Sequence, residues 1–185
     1  MLFLKFKQSR AYTLIETLIV ISLIGLFSAM GFVSYRIFMS SITADREIMR
    51  LYRTLVFARV EAVRYDIDVS VCPINSSHAG CGSDWSKGWL VFIDRMKDGM
   101  VHADSRILQV VSLPLIGSTI TWRNFRSKNY VQFTSMGFTN YLNGTFLYYA
   151  KNRDPALMRR LVVDKNGAIR FSAGNSYTAR KQVLR

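Results

Sequence analysis

The chain has 185 residues, 50% hydrophobic and 20% charged, enough for one compact domain with an appendage and too few for two full domains. Its 3 Pro and 11 Gly exclude a collagen-like or linker-like chain, and the hydrophobic share excludes a disordered one. The 25 Lys and Arg against 12 Asp and Glu give a formal net charge of +13, which favours an acidic partner: nucleic acid, anionic lipid or an acidic protein.

From Thr17 to Tyr35 the chain runs for roughly 19 residues without a charge, long enough at about 1.5 Å per residue to span a hydrocarbon core as a helix. Lys5, Lys7 and Arg10 precede it, which predicts a cytoplasmic N-terminus and the remainder outside. The run is longer than the apolar core of an ordinary secretory signal, and Phe27 to Gly31 offers no good cleavage signature. Glu16 stands at the edge of this run, where a carboxylate costs a few kcal/mol unless something pairs with it. That cost implies a partner.

The stretch Ala11-Tyr12-Thr13-Leu14-Ile15-Glu16-Thr17-Leu18-Ile19-Val20-Ile21 resembles the class III signal of type IV pilins and pseudopilins. The resemblance implies a leader at 1–11 that prepilin peptidase removes between Ala11 and Tyr12, followed by N-methylation of Tyr12. It also implies that Glu16 neutralises the new amino terminus of a neighbouring subunit during assembly, inside an apolar bundle. Family members usually carry Gly before the cut and often Phe after it, and Ala11 and Tyr12 depart from that pattern. The implied location is the inner membrane, with the head periplasmic and then carried into an extracellular pilus.

Further along, Phe38, Ile42, Met49, Tyr52, Val56, Val60 and Val63 recur at three- and four-residue spacing, with Ile48, Leu55 and Ala62 beside them and Arg46, Arg50 and Arg53 on the other side. No proline interrupts Tyr12 to Tyr65, so one helix of about 50 residues, near 80 Å, is expected. A break near Ser40 and Ser41 is the alternative. The predicted organisation is a membrane and filament-core half at 12–38 and an amphipathic half at 39–66.

After Asp66 the period shortens to strands at 69–72, 89–94, 106–113, 118–125, 130–134, 144–149, 159–164 and 168–172. Asp98-Gly99, Asn143-Gly144 and Asn166-Gly167 supply the positive φ of tight turns. An amphipathic helix followed by consecutive hairpins predicts an α+β fold, with an antiparallel β-sheet head at 67–172 packed on the helix. Residues 173–185 form a basic C-terminal tail. Cys72 and Cys81 flank a Ser- and Gly-containing loop in the part expected outside the cytoplasm, where disulfides persist, and are expected to be bridged.

Cys72-Pro73, Cys81, Trp85, Gly88-Trp89-Leu90-Val91-Phe92-Ile93-Asp94 and Arg159-Arg160-Leu161-Val162-Val163 before Gly167 and Arg170 are similar to the head of the GspH/FimT family of minor pilins and pseudopilins. The resemblance implies a type IV pilin-like fold, a place at or near the tip of a pilus or a type II secretion pseudopilus, and other major and minor pilins as partners. No P-loop, Gly-x-Ser-x-Gly or His-Glu-x-x-His occurs, so an enzyme is not expected. No cofactor or metal is expected either. His78 and His102 have no spacing suited to zinc, and Arg95, Met96 and Lys97 interrupt a calcium reading of Asp94, Asp98 and Asp104 in favour of a solvated acidic hairpin. Phe146, Tyr148 and Tyr149 are expected in the sheet core rather than stacked on bases.

The charge is concentrated late in the chain. Between Asp66 and Asp104 the acids outnumber Lys87, Arg95 and Lys97, whereas from Trp122 to Arg185 about 12 basic residues face Asp154 and Asp164. Arg159, Arg160, Lys165, Arg170, Arg180, Lys181 and Arg185 form a candidate surface for double-stranded DNA, bound through phosphates and without sequence preference. FimT-type members of the resembling family bind DNA for natural transformation through a Gly-Arg-x-Arg motif. Gly167-Ala168-Ile169-Arg170 matches its glycine and last arginine and lacks the first arginine. Two readings stay open at this point: DNA capture, or a structural subunit whose arginines meet solvent and neighbouring subunits.

Overall fold

The computed structural model describes residues 13–77, 79–113 and 117–172, with the backbone alone for 29–34 and for 36 and 37. The leader with Ala11 and Tyr12, the loop residue His78, and the tail with Arg180, Lys181 and Arg185 lie outside the described residues. The chain divides into two compact units after Met39. A single α-helix, α1, runs Leu14–Tyr65 without a break at Ser40. The Thr13 hydroxyl accepts from the Glu16 N–H at 3.3 Å, so Thr13 caps the helix and Glu16 occupies the third helical position, where a carboxylate also suits the positive end of the helix dipole.

In the first unit every described side chain from Thr13 to Ser28 is exposed. Among the described residues, no helix is long and apolar enough to cross a membrane; the uncharged run of the sequence continues through 29–34, whose side chains are not described.

The second unit holds eight strands: β1 Val69–Pro73, β2 Gly88–Ile93, β3 Ile107–Ser112, β4 Thr119–Asn124, β5 Val131–Phe133, β6 Gly144–Tyr149, β7 Arg159–Val163 and β8 Ile169–Ser172. They form two antiparallel sheets, ordered β3-β2-β1-β5 and β4-β6-β7-β8. Each lies within a residue or so of a strand expected from alternation. The turns follow their chemistry at Gly99 and Gly167, both at φ +74. Gly144 differs, since it is not among the positive-φ glycines. A Cβ there would stand 2.4 Å from the Arg123 carbonyl oxygen, so this glycine serves close approach of β4 rather than a turn.

One core joins α1 to both sheets. Ala44, Ile48, Leu51, Leu55, Ala58 and Ala62 form the buried stripe of α1, against Val69, Val71, Trp89, Val91, Val131 and Phe133 from the first sheet and Ile120, Trp122, Phe146, Tyr148, Leu161 and Val163 from the second. The sequence-predicted stripe is thereby corrected. Phe38, Ile42, Met49, Val60 and Val63 are exposed. Small alanines let the sheets approach the helix closely, a contact that selecting the bulkiest apolar residues overlooks. Phe146 and Tyr148 are in the core as expected.

A second apolar cluster, Cys72, Ile74, Leu90 and Phe92 with Cys81, Val101 and Tyr130 packed against it, covers the other face of the first sheet. Cys72 and Cys81 are bonded there, closing a loop of sequence separation 9. The expected solvated acidic hairpin is corrected at Asp94, which is only 1% exposed, whereas Asp98 and Asp104 are exposed as expected. The Asp94 Oδ2 accepts from the Ser70 hydroxyl at 2.7 Å, the Gln132 amide at 2.9 Å and the Gly99 N–H at 2.8 Å. Asp94 thus ties β1, β5 and the turn after β2 together.

Candidate functional site

The register of the second sheet decides which of its side chains share a face. Arg123 pairs with Thr145, Thr145 with Val162 and Val162 with Arg170. In the next outward row Thr121 pairs with Leu147, Leu147 with Arg160 and Arg160 with Ser172. Directly opposed residues of neighbouring antiparallel strands point to the same side. Arg123, Arg160 and Arg170 therefore share the face turned away from the core. At about 4.8 Å between strands, Arg123 and Arg170 stand ~14 Å apart at their backbones, with Arg160 one row away.

The electrostatics of this face are one-sided. Arg123 is exposed and has no hydrogen-bond or ion-pair partner among the described residues. Lys165 is exposed in the turn between β7 and β8. The Nε of Arg160 is buried and has no hydrogen-bond partner among the described residues. Arg170 pairs with Asp164 at 2.7 Å, with 67% of the arginine side chain still exposed.

Arg159 does not belong to this face and corrects the expectation that it projects outward. It lies on the core-facing side of β7, opposite Tyr148. There it donates to the Asp45 carboxylate at 2.6 Å and the Ser41 hydroxyl at 2.9 Å, both on α1. It is a tie between helix and sheet. Arg59 is another, donating from Nε to the Gly137 carbonyl at 3.0 Å and from the guanidinium to the Asn166 carbonyl at 3.4 Å. It holds the β7–β8 turn, where a Cβ on Gly167 would come within 1.9 Å of the Gly137 carbonyl oxygen. The glycine of the partial Gly-Arg-x-Arg match is fixed by packing, and Arg170 is presented outward on β8.

Sequence reasoning missed Arg123 and Arg59. Arg123 was legible in principle, because it alternates with the apolar Ile120 and Trp122 on β4; nothing local marks Arg59, whose partners lie 78 and 107 residues away. In the turn after β2, Asp98 accepts from the Met100 N–H at 2.9 Å and meets the His102 ring at 2.8 Å. These contacts, the backbone N–H first and the imidazole second, hold its carboxyl below the ordinary value. Among the described residues no group of three His, Cys, Asp or Glu is placed to hold a metal ion.

A long helix whose C-terminal half backs two antiparallel sheets defines an α+β protein of the type IV pilin-like class. The family model described as Type II transport protein GspH matches residues 47–167. The chain belongs to that family, the GspH/FimT group of minor pilins and pseudopilins, and is a filament subunit rather than an enzyme. Its fold is similar to that of the type IV minor pilin FimU of Pseudomonas aeruginosa, with 20% identity and a TM-score of 0.53 over 72% of this chain and 89% of that one. It is also similar to the minor pseudopilin EpsH of the type 2 secretion system of Vibrio cholerae, with 16% identity and a TM-score of 0.51 over 72% of this chain and 98% of that one. No curated protein matches the chain. The family match ends at Gly167, so Arg170 and the basic tail lie beyond it.

Proposed function

We propose that the protein is a minor type IV pilin at or near a pilus tip, where it captures extracellular double-stranded DNA for uptake in natural transformation. The observation that carries this reading is the outer face of the second sheet, with Arg123, Arg160 and Arg170 in adjacent rows and Lys165 at its end. Guanidinia spread over ~14 Å reach phosphates on both sides of a groove about 12 Å wide. Arg180, Lys181 and Arg185 extend the same charge along the sequence. Phosphate contacts of this kind position a duplex without reading its bases.

Delivery to the pilus rests on the N-terminal motif. Prepilin peptidase cuts between Ala11 and Tyr12, the Thr17–Tyr35 run anchors the precursor in the inner membrane with its head in the periplasm, and Glu16 meets the N-methylated Tyr12 of a neighbouring pilin. Mass spectrometry of membrane-extracted protein is expected to find an N-methylated Tyr12 start. An intact Met1 start in peptidase-positive cells would refute the processing step.

The test of DNA capture titrates the full-length chain in detergent against a random-sequence duplex at several salt concentrations. Affinity is expected to fall steeply with salt, and Arg123→Gln, Arg160→Gln and Arg170→Gln are each expected to reduce the log-log slope by about one. Absent or barely salt-sensitive binding would favour a second reading, a structural subunit that primes assembly of a type IV pilus or a type II secretion pseudopilus. Two observations favour that alternative: the family's description as a type II transport protein, and the engagement of Arg159 and Arg170 by acids of the chain itself.

A further inference from the structure

A second basic feature lies on the first sheet. A groove of about 720 Å³ runs between α1 and β3, lined by Arg46, Met49, Arg50, Arg53 and Phe57 on the helix and by Gln109 to Ser112 on the strand. No carboxylate lines it. Arg46 and Arg53 are exposed and have no hydrogen-bond or ion-pair partner among the described residues. Arg50 pairs only loosely with Glu47, at 3.9 Å.

The strand beside these arginines is an open edge. Among the described residues β3 ends the first sheet and pairs only with β2. The Leu113 N–H donates to the Lys87 carbonyl, so in the alternating antiparallel pattern Gln109 and Val111 exchange bonds with β2. Val110 and Ser112 consequently turn their N–H and C=O groups outward. Exposed edges commonly carry a lysine or a proline that discourages pairing. Ile107-Leu108-Gln109-Val110-Val111-Ser112 carries neither.

We propose that this groove receives an extended acidic segment of a partner protein, which adds as a strand to the free edge of β3 and sets Asp or Glu at alternate positions against Arg46, Arg50 and Arg53. Alternate residues of the added strand point to the α1 side and recur every ~6.8 Å. The three arginines lie at i, i+4 and i+7 on one helix face and recur about every turn, ~5.4 Å. Both spacings are within reach of a guanidinium arm. The edge itself separates a peptide from a nucleic acid, because it offers carbonyl acceptors as well as N–H donors, and a phosphate backbone can satisfy only the donors. Met49 and Phe57 provide an apolar floor for the side-chain stems.

The test uses the full-length chain in detergent and a fluorescein-labelled ten-residue peptide of alternating Glu and Thr, with a peptide of the same composition and all its glutamates at one end as control. The alternating peptide is expected to bind at least tenfold more tightly than the control and to lose at least tenfold in the Arg46→Gln/Arg53→Gln variant. In the unmutated chain it is expected to slow hydrogen exchange at the Val110 and Ser112 amides. Val110→Pro, which removes an outward N–H, is expected to weaken binding comparably with an unchanged circular dichroism spectrum. Equal affinity for the two peptides, or no protection at Val110 and Ser112, overturns strand addition. A random-sequence duplex that displaces the peptide and weakens equally in the arginine variant would reassign the groove to nucleic acid. Because Arg123, Arg160 and Arg170 are untouched, these outcomes are independent of DNA capture on the second sheet.

Discussion

The two sheets share a core and differ in what covers their outer faces. Every residue of β1 and β2 is buried, because α1 lies on one side and the disulfide loop with the segment after β2 lies on the other. β4 and β8 keep exposed positions, and among the described residues the second sheet packs its inner side on α1 while Arg123 and Arg170 stay exposed on its outer side. The doubly covered strands β1 and β2 are a scaffold, whereas the second sheet, and the edge strand β3 of the first, retain exposed positions. The hydrophobic run of β2 and the alternation of β4 are the sequence signatures of these two situations.

The largest expected effect comes from opening the doubly covered strands. Phe92 is fully buried in the second cluster, and Phe92→Ala is expected to cost about 3–5 kcal/mol in denaturant unfolding. Replacing both Cys72 and Cys81 with Ser releases a loop of sequence separation 9 and is expected to cost about 2.5 kcal/mol by the chain-entropy relation. A loss below 0.5 kcal/mol would mean that the covering loop contributes little. Asp94→Ala removes the acceptor shared by Ser70, Gln132 and Gly99, for an expected ~2 kcal/mol. On the second sheet, Arg170→Gln breaks an exposed ion pair and is expected to change stability by less than about 0.5 kcal/mol. An effect as large as that of Asp94→Ala would erase the contrast between scaffold and display surface.

The pH response sharpens the comparison further. Burial raises Tyr130, beside the second cluster, and Tyr148, on the inner face of β6, above the ordinary 10.0. A raised value in the fold means that their contribution is intact below pH 10.0 and is lost as pH climbs through the raised values, so alkaline unfolding is expected to begin above that point. Asp98 has the opposite sign. Its value lies below the ordinary 3.8, so its contribution is present above that pH and fades as pH falls through the lowered value. Solvent screening keeps that effect the smallest here, readable as a shift of the Asp98 carboxyl in an NMR titration when His102→Gln is introduced.

Reading the sequence located the strands well and the helix face poorly. Strand positions follow from local alternation and turn residues, as at β6, where Gly144–Tyr149 coincides with the expected segment. The buried stripe of α1 is built partly from Ala44, Ala58 and Ala62, which carry little hydrophobic signal and are chosen by how closely the sheets approach. Asp94 was misread for a related reason. Its partners Ser70 and Gln132 are 24 and 38 residues away, and a carboxylate among polar loop residues gives no sign of being enclosed.

The sequence by itself determined the family, the β-rich head, the cysteine pair and the excess of positive charge, because periodicity, motif spacing and composition are local properties. Only the tertiary structure decided that Arg159 faces the helix while Arg160 faces outward, that Arg123 joins Arg160 and Arg170 across three strands, and that Arg46, Arg50 and Arg53 stand beside an open strand edge. Each of those facts depends on which face of an element is covered and by what. That is settled by long-range packing and pairing register, to which neighbouring residues in the chain contribute only a pattern.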